Sequence, residues 1–403
     1  MTDQEGLYQW KEEVARNMPH LSKSQATVLA LWSFGMVLAK SCAITAVSLI
    51  LSALLRKKEN TIRQQLREFC YDAEDKKGKK RQEIDVEENF VPLLKWILSI
   101  WKSDKLALAV DATTLADIFV VLVVSVVYKG SAIPVAWKII PANKKHAWRP
   151  EWLRMLRIIR KAVPKSMFVI VMGDRGLYAR WLYKRIVRLG WYPFLRINNG
   201  GKFRPEGNYQ FQELLSFVPK VGAMCSIKGT AFASTKKKNS QLNCTLIACW
   251  QDGCKDPWLI LTNLEPPSAN AAWYGLRSWI EQGFKFIKRA GFQWQNTRMT
   301  DPNRASRLWL AVSISTLWLL SVGSQQDCSS LSLELFLVDP SKKIRKKTQL
   351  RLVSIFRRGW VTIFVSLINH SLLPFGFFLP DPWPIFFSSP NFTTHQEVNL
   401  CAA

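Results

Sequence analysis

The sequence predicts an α/β protein: a helical region first, then a sheet covered by helices and interrupted by a β-rich insertion. Three observations carry this. Residues 1–95 are helical in pattern and mixed in charge. From 105 to 197 the period changes to three strands in a row, then helix, strand, helix, strand. From 198 to 265 that rhythm gives way to polar loops and short β segments, and a helical pattern resumes over 266–325.

The N-terminal region contains a long apolar run, TVLALWSFGMVLAKSCAITAVSLILSALL, over residues 27–55. A membrane span needs ~20 apolar residues. Here Ser33, Gly35, Lys40, Ser41, Cys42, Thr45 and Ser48 interrupt the run. The pattern predicts two packed helices with a turn near Lys40 and Ser41, and no membrane partner is expected. TIRQQLREFCYDAEDKKGKKR reads as a charged helix followed by a basic loop. Residues 1–95 suit a small helical DNA-binding domain or a plain helical linker domain; nothing in the sequence fixes a recognition helix. The start, MTDQEGLYQWKEEV, is polar and acidic, not the pattern of a secretory signal.

In the core, KLALAVDATTL reads as a short strand ending at Asp111. FVVLVVSVVYKG and SAIPVAWKII read as the next two strands, joined by a Lys-Gly-Ser turn. WRPEWLRMLRIIRKAV is an amphipathic basic helix, SMFVIVMGD the fourth strand, YARWLYKRIVRLG a helix ended by Gly190, and WYPFLRI the fifth strand. The insertion, 198–265, contributes AMCSIKGTAFAS, QLNCTLIACW and DPWLILTNL as strands. NAAWYGLRSWIEQGFKFIKRAGFQW then reads as one strong helix, and NRASRLWLAVSISTLWLLSVG as an apolar one. Asp117 and Asp301 read as turn residues, with Asn303 as a helix cap, and His146 as a loop residue facing a polyanion. Residues 326–358 form a basic C-terminal segment, dense in Lys and Arg over SKKIRKKTQLRLVSIFRR, 341–358. Residues 359–403 hold no Lys or Arg, and read either as a segment outside the main design or as an apolar arm packed on the body.

Fifty-six Lys and Arg stand against 30 Asp and Glu, for a net charge of +26. That excess favours a polyanionic partner, nucleic acid before a membrane surface. Eighteen Trp suit either core packing or base stacking. Cys244, Cys249 and Cys254 are evenly spaced but form no CxxC pair, so they read as strand cysteines in place of a zinc site.

Three acids stand out. Asp111 and Asp174 end adjacent-looking strands, in VDATTL and GDRGLY. Asp174 reads as a metal ligand, a turn residue or a helix cap, and Arg175 as a phosphate contact or an ion-pair partner. Glu281 lies in the helical pattern. At about 100° per residue, Tyr274, Arg277, Glu281, Lys285 and Lys288 share an arc of roughly 80°. Trp273, Leu276, Ile280, Phe284 and Ile287 form the apolar arc beside it. Taken alone, such a stripe is a solvated face with an Arg–Glu pair. Carboxylates from two strand ends and a helix can instead converge, and then repel one another. Mg²⁺ or Mn²⁺ neutralises such a cluster. Two ions ~4 Å apart activate a water or hydroxyl and stabilise the leaving oxygen in phosphoryl transfer.

The spacing Tyr274-x2-Arg277-x3-Glu281-x6-Lys288 resembles the YREK signature of the DDE transposases of bacterial insertion sequences, of the insertion-sequence-four type. VDATTL and GDRGLY resemble the segments bearing that family's two aspartates, and the likeness covers about 105–322. The resemblance implies a ribonuclease-H-like catalytic core with its β-rich insertion between the last core strand and the glutamate helix. It implies Asp111, Asp174 and Glu281 as metal ligands for two Mg²⁺ or Mn²⁺ ions. Arg277 and Lys288 would hold DNA phosphates, and Tyr274 would position the strand. Trp258 falls where hairpin-forming relatives stack a flipped base; core packing is the alternative. Cut-and-paste transposition is implied, with terminal inverted repeats and target DNA as partners, a homodimer at synapsis, and a bacterial cytoplasmic, nucleoid-associated setting. The basic runs Lys342–Lys347 and Arg357–Arg358 would neutralise phosphates. A nuclease of the same fold without strand transfer, and a DNA-binding remnant without catalysis, are the competing readings.

Overall fold

The computed structural model describes residues 3–76, 81–143, 146–232, 241–325 and 353–385. The predicted basic run Lys342–Lys347 and residues 386–403 lie outside them.

Five helices come first: α1 (Asp3–Asn17), α2 (Lys23–Ala39), α3 (Ile44–Leu55), α4 (Glu59–Cys70) and α5 (Phe90–Ser99). A capping box starts α2: Ser22 Oγ accepts from the Gln25 backbone N–H at 3.3 Å, and the Gln25 side chain accepts from the Ser22 N–H at 2.9 Å. Lys40, in the left-handed region at φ 49°, ends it. The chain then bends by 99° into α3, so the long apolar run is two helices, as its interruptions predict. These helices and the sheet share one hydrophobic core.

A ten-stranded sheet follows, in the order β3-β2-β1-β4-β5-β10-β9-β8-β6-β7. Its first half is β1 (Lys105–Leu115), β2 (Phe119–Tyr128), β3 (Ser131–Pro141), β4 (Phe168–Gly173) and β5 (Tyr192–Arg196). β1, β4 and β5 are parallel, with β2 and β3 antiparallel outside them. Lys129 and Gly130 turn the β2–β3 hairpin, both at positive φ (38° and 76°), which is type I′ geometry. α6 (Trp148–Arg160) connects β3 to β4, and α7 (Arg180–Arg188) crosses from β4 to β5. The stretch read as an insertion supplies β6 (Lys202–Pro205), β7 (Gln212–Glu213), β8 (Met224–Ala231), β9 (Leu242–Cys249) and β10 (Trp258–Thr262). It does not form a separate sheet: β10 pairs antiparallel with β5, so the core sheet continues through it. Cys244 and Cys249 are buried on β9, as free thiols.

Expectations about two of these elements need correction. The strand bearing Asp111 does not end there. It runs on to Leu115 against β2, and only its parallel ladder with β4 stops, at Val110 opposite Gly173. Nor is residues 270–294 one helix. A 3₁₀ segment (Ala271–Ser278) leads into α8 (Trp279–Lys285), and a π turn (Phe286–Ala290) closes it. Close packing fixes its position: a Cβ on Gly283 would lie 2.9 Å from the Ala132 Cβ, so glycine lets α8 settle on β3.

The next helix, α9 (Pro302–Gln325), is capped by Asp301, not Asn303: Asp301 Oδ1 accepts from the Arg304 N–H at 2.8 Å, and Pro302 takes the first helical position. α9 is long and apolar enough to cross a membrane, but 94% of that stretch is buried within the protein. It packs on β3, α2 and α10 (Ile355–Ile368). α9 and α10 touch backbone to backbone: a Cβ on Gly359 would fall 1.8 Å from the Leu319 carbonyl oxygen. Trp360 donates its indole N–H to the Val37 carbonyl at 2.7 Å, and Phe378 is fully buried, its backbone bonded to Ile100 and Lys102. The residues lacking Lys and Arg are therefore built into the body as far as Trp383, whose ring packs on Phe168 and Trp273. Arg358 is buried, which corrects its expected place on a phosphate-facing surface; Arg357 is exposed.

Candidate active site

Asp111 stands within β1, one residue past the end of the β4 ladder, and Asp174 follows β4 directly. The β1 and β4 ends are neighbours, so topology alone brings two acids together. α8 lies across the sheet and adds the third. All three converge on one guanidinium. Arg277 Nη2 donates to Asp111 Oδ2 at 2.9 Å and to Asp174 Oδ2 at 3.3 Å. Arg277 Nη1 donates to Glu281 Oε1 at 2.8 Å. The two aspartate oxygens share a single nitrogen, so they stand no further apart than those 2.9 and 3.3 Å contacts laid end to end.

The surroundings grade the three acids. The side chains of Asp111 and Arg277 are 14% and 15% exposed, that of Asp174 38% and that of Glu281 56%. Burial raises the Asp111 carboxyl above its usual range; Arg277 and the Ala112 N–H oppose the shift, while Asp174 and Glu281 add to it. Burial of Arg277 works against its charge, and the three acids and Tyr274 outweigh that, holding it protonated. Asp174 is not a helix cap. Its Oδ1 accepts from the Gly176 N–H at 2.9 Å in a turn, and α7 starts six residues later behind Ala179, which makes no side-chain cap. The same carboxylate is thus turn residue and cluster member, one oxygen to each.

The other expected contacts distribute around this centre. Lys288 donates to Thr113 Oγ1 at 2.7 Å, two residues along the same face of β1 as Asp111. Burial, then Arg289, lowers its pKa. The structure turns Tyr274 inward: it is 4% exposed, its hydroxyl lies 3.5 Å from the Gly173 carbonyl, and burial pushes its pKa up to about 12. Trp258 starts β10, half-buried and edge-on to Tyr274 at 5.3 Å. Arg175 pairs with Asp256 at 3.2 Å. His146 meets Glu151 at 3.1 Å, away from the cluster, and Asp117 sits in the β1–β2 turn.

Sequence reasoning missed Arg196, Asp256 and Ser278. With Asp174, Arg175, Trp258, Tyr274 and Arg277 they line a cleft of about 330 Å³ beside the acids. Arg196 stands at the end of β5, the same strand-end signal that marked Asp174. Asp256 gave no signal, since Asp-Pro reads as an ordinary turn. Arg175 Nε and Nη2, Arg196 Nε and Arg277 Nε are buried without hydrogen-bond partners. Orphaned donors of this kind suit an anionic ligand.

The donor chemistry fits a hard divalent cation: three carboxylates face one positive centre, and the most buried is relieved by positive charge. Among the described residues, however, no three acidic, His or Cys side chains form a ready cage. Arg277 holds the central place between them. Fold and site together define a class: an α/β protein with a strand-end acid cluster beside an arginine-lined cleft. Residues 102–318, more than half of the chain, match the family described as the transposase DDE domain, and the chain belongs to that family. No functionally curated protein matches it. Seven solved chains do; among them is the piggyBac transposase synaptic complex with hairpin DNA, 11% identical, with a TM-score of 0.38 over 87% of this chain and 73% of that one, a likeness too distant to bear on function.

Proposed function

We propose that this DDE-family protein cleaves DNA at the ends of its own element and joins the freed 3′ hydroxyls to target DNA. One observation carries the reading: Asp111, Asp174 and Glu281, from two adjacent strands and a helix, meet at a single guanidinium. In this reading the three acids hold Mg²⁺ or Mn²⁺, two ions, which supply Lewis-acid activation of the attacking and leaving oxygens. Arg277 then turns its charge from the acids to a DNA phosphate. Arg175 and Arg196 offer their orphaned N–H donors to phosphates in the cleft. Lys288 steadies β1 through Thr113 and adds a cation beside the strand. Tyr274 braces the strand end at Gly173, and Trp258 offers a half-exposed ring at the cleft wall. The position of β6–β10, between the last core strand and α8, supports a ribonuclease-H-like core with an insertion. The YREK likeness supports an insertion-sequence-four type, acting as a homodimer in the bacterial cytoplasm.

The test is incubation with DNA bearing the element's terminal inverted repeats and a tagged target plasmid, with and without Mg²⁺. Metal-dependent nicking followed by joined product is expected. Nicking without joining moves the reading to a nuclease. Binding without nicking moves it to a catalytically inactive DNA-binding remnant.

A further inference from the structure

A second charged surface lies where the loop that begins at Asp174 leads into α7. A groove of about 620 Å³ between α6 and α7 is lined by Arg149, Arg180, Lys184, Arg185 and Arg188, with Leu153, Trp181 and Phe232 among them and no acid. We propose that this groove is a track for the backbone of duplex DNA flanking the cleaved position. The proposal rests on the DNA reading above, not on catalysis.

The helix explains the row. Its inner face, Leu182, Tyr183 and Ile186, is buried, which fixes the outer face toward the groove. Positions 180, 184 and 188 are one turn apart, so three cations recur at ~6 Å intervals. Among the described residues, Arg149, Lys184, Arg185 and Arg188 form no ion pair. The acid in the first turn of α6, Glu151, is engaged by His146. Like charges held side by side by packing repel one another, and a polyanion relieves them. Rings hold two of the guanidinium groups: Arg149 sits 5.8 Å from Trp181, and Arg180 5.8 Å from Phe232. Phe232 adopts φ 64°, an uncommon conformation for a residue with a side chain. Its ring stacks at 6.4 Å on Tyr178, in the loop that begins at Asp174. The groove is thereby tied to the acid cluster. Duplex DNA presents one charge per ~1.7 Å of its axis, the repeating anion that a row of fixed cations matches.

Lys184→Gln/Arg188→Gln tests this, by binding of a labelled duplex over a salt series. Two lost phosphate contacts should shrink the slope of log K against log salt by about 1.8. Lys95→Gln/Lys102→Gln removes equal charge from exposed positions at and beyond α5, and should keep the wild-type slope. Equal slopes for the two double variants would overturn the proposal, because bulk charge and not the groove would then hold the DNA. Tighter retention of the protein on phosphatidylserine vesicles than on duplex would also overturn it. Asp174→Asn run in parallel separates the two readings. Lost nicking with an unchanged salt slope supports both. Undiminished nicking sinks the catalytic reading while the groove still stands or falls on its own slope.

Discussion

Two charge clusters lie at the two ends of one short loop, and they are built on opposite plans. At Arg277 a single buried cation is surrounded by three acids, one positive charge against three negative ones. Along α7 the cations share a surface with no acid in the groove lining. The same residue type does both jobs. What differs is the element beneath: strand ends and α8 close around Arg277, while α7 turns its row outward. Net charge of +26 describes neither cluster, because it counts the arginine enclosed by acids and those along the groove alike.

Variants can break or sharpen this contrast. The largest effect is expected inside the closed cluster. Asp111→Asn, Asp174→Asn or Glu281→Gln should each lower Mg²⁺-dependent nicking beyond the ~10–100-fold that loss of a mere supporting partner costs. Nicking assays on a supercoiled plasmid read this, and Asp174→Asn should unfold within about 1 kcal/mol of wild type, since Asn also accepts the Gly176 N–H. Next comes Arg277→Ala, which leaves mostly buried Asp111 without its counter-charge and should cost ~3 kcal/mol in urea unfolding. Adding Asp111→Asn to it should recover part of the loss; simple additivity would mean that the pair is not coupled. Divalent metal follows. At about a hundred times its Kd, Mg²⁺ or Mn²⁺ should stabilise the wild type by ~2.7 kcal/mol, and Asp174→Asn should lose that gain in a thermal melt. The smallest effect belongs to the open row, where Lys184→Gln should change folding stability by less than ~0.5 kcal/mol, because an exposed, unpaired lysine contributes little to the fold. A large loss there would show that the row is structural.

Much of the sheet was legible in order. Continuous apolar runs such as LALAV and FVIVM announce strands buried on both faces, and the structure pairs them side by side in parallel. The break of rhythm at 198 marks where strands begin to follow one another without long helices between them, but not that those strands would continue the sheet through β10. Pairing between β5 and β10 joins segments some sixty residues apart, and no local pattern records it. The helix around Glu281 was overread. A uniform 100° turn put Tyr274 on the polar stripe, whereas the 3₁₀ segment before Trp279 turns it inward. The arginine and glutamate stayed together, because they straddle the junction at a four-residue spacing. Composition left two readings of the C-terminal residues open, and over the described part, to 385, the structure agrees with the packed arm. Lack of Lys and Arg fits a foreign segment and a packed arm equally; burial against α9 requires that same composition.

By itself, then, the sequence determined which side chains were available for chemistry and on which kinds of element they would stand, because periodicity and turn residues act over a few positions. Tertiary structure decided how those side chains meet. Arg277 at the centre of three acids, Arg196 and Asp256 in the cleft wall, and the outward row on α7 all depend on which strand ends are neighbours and which helix face is buried. Those relations arise from closing the sheet and filling the core, a balance summed over the whole chain that no short stretch contains.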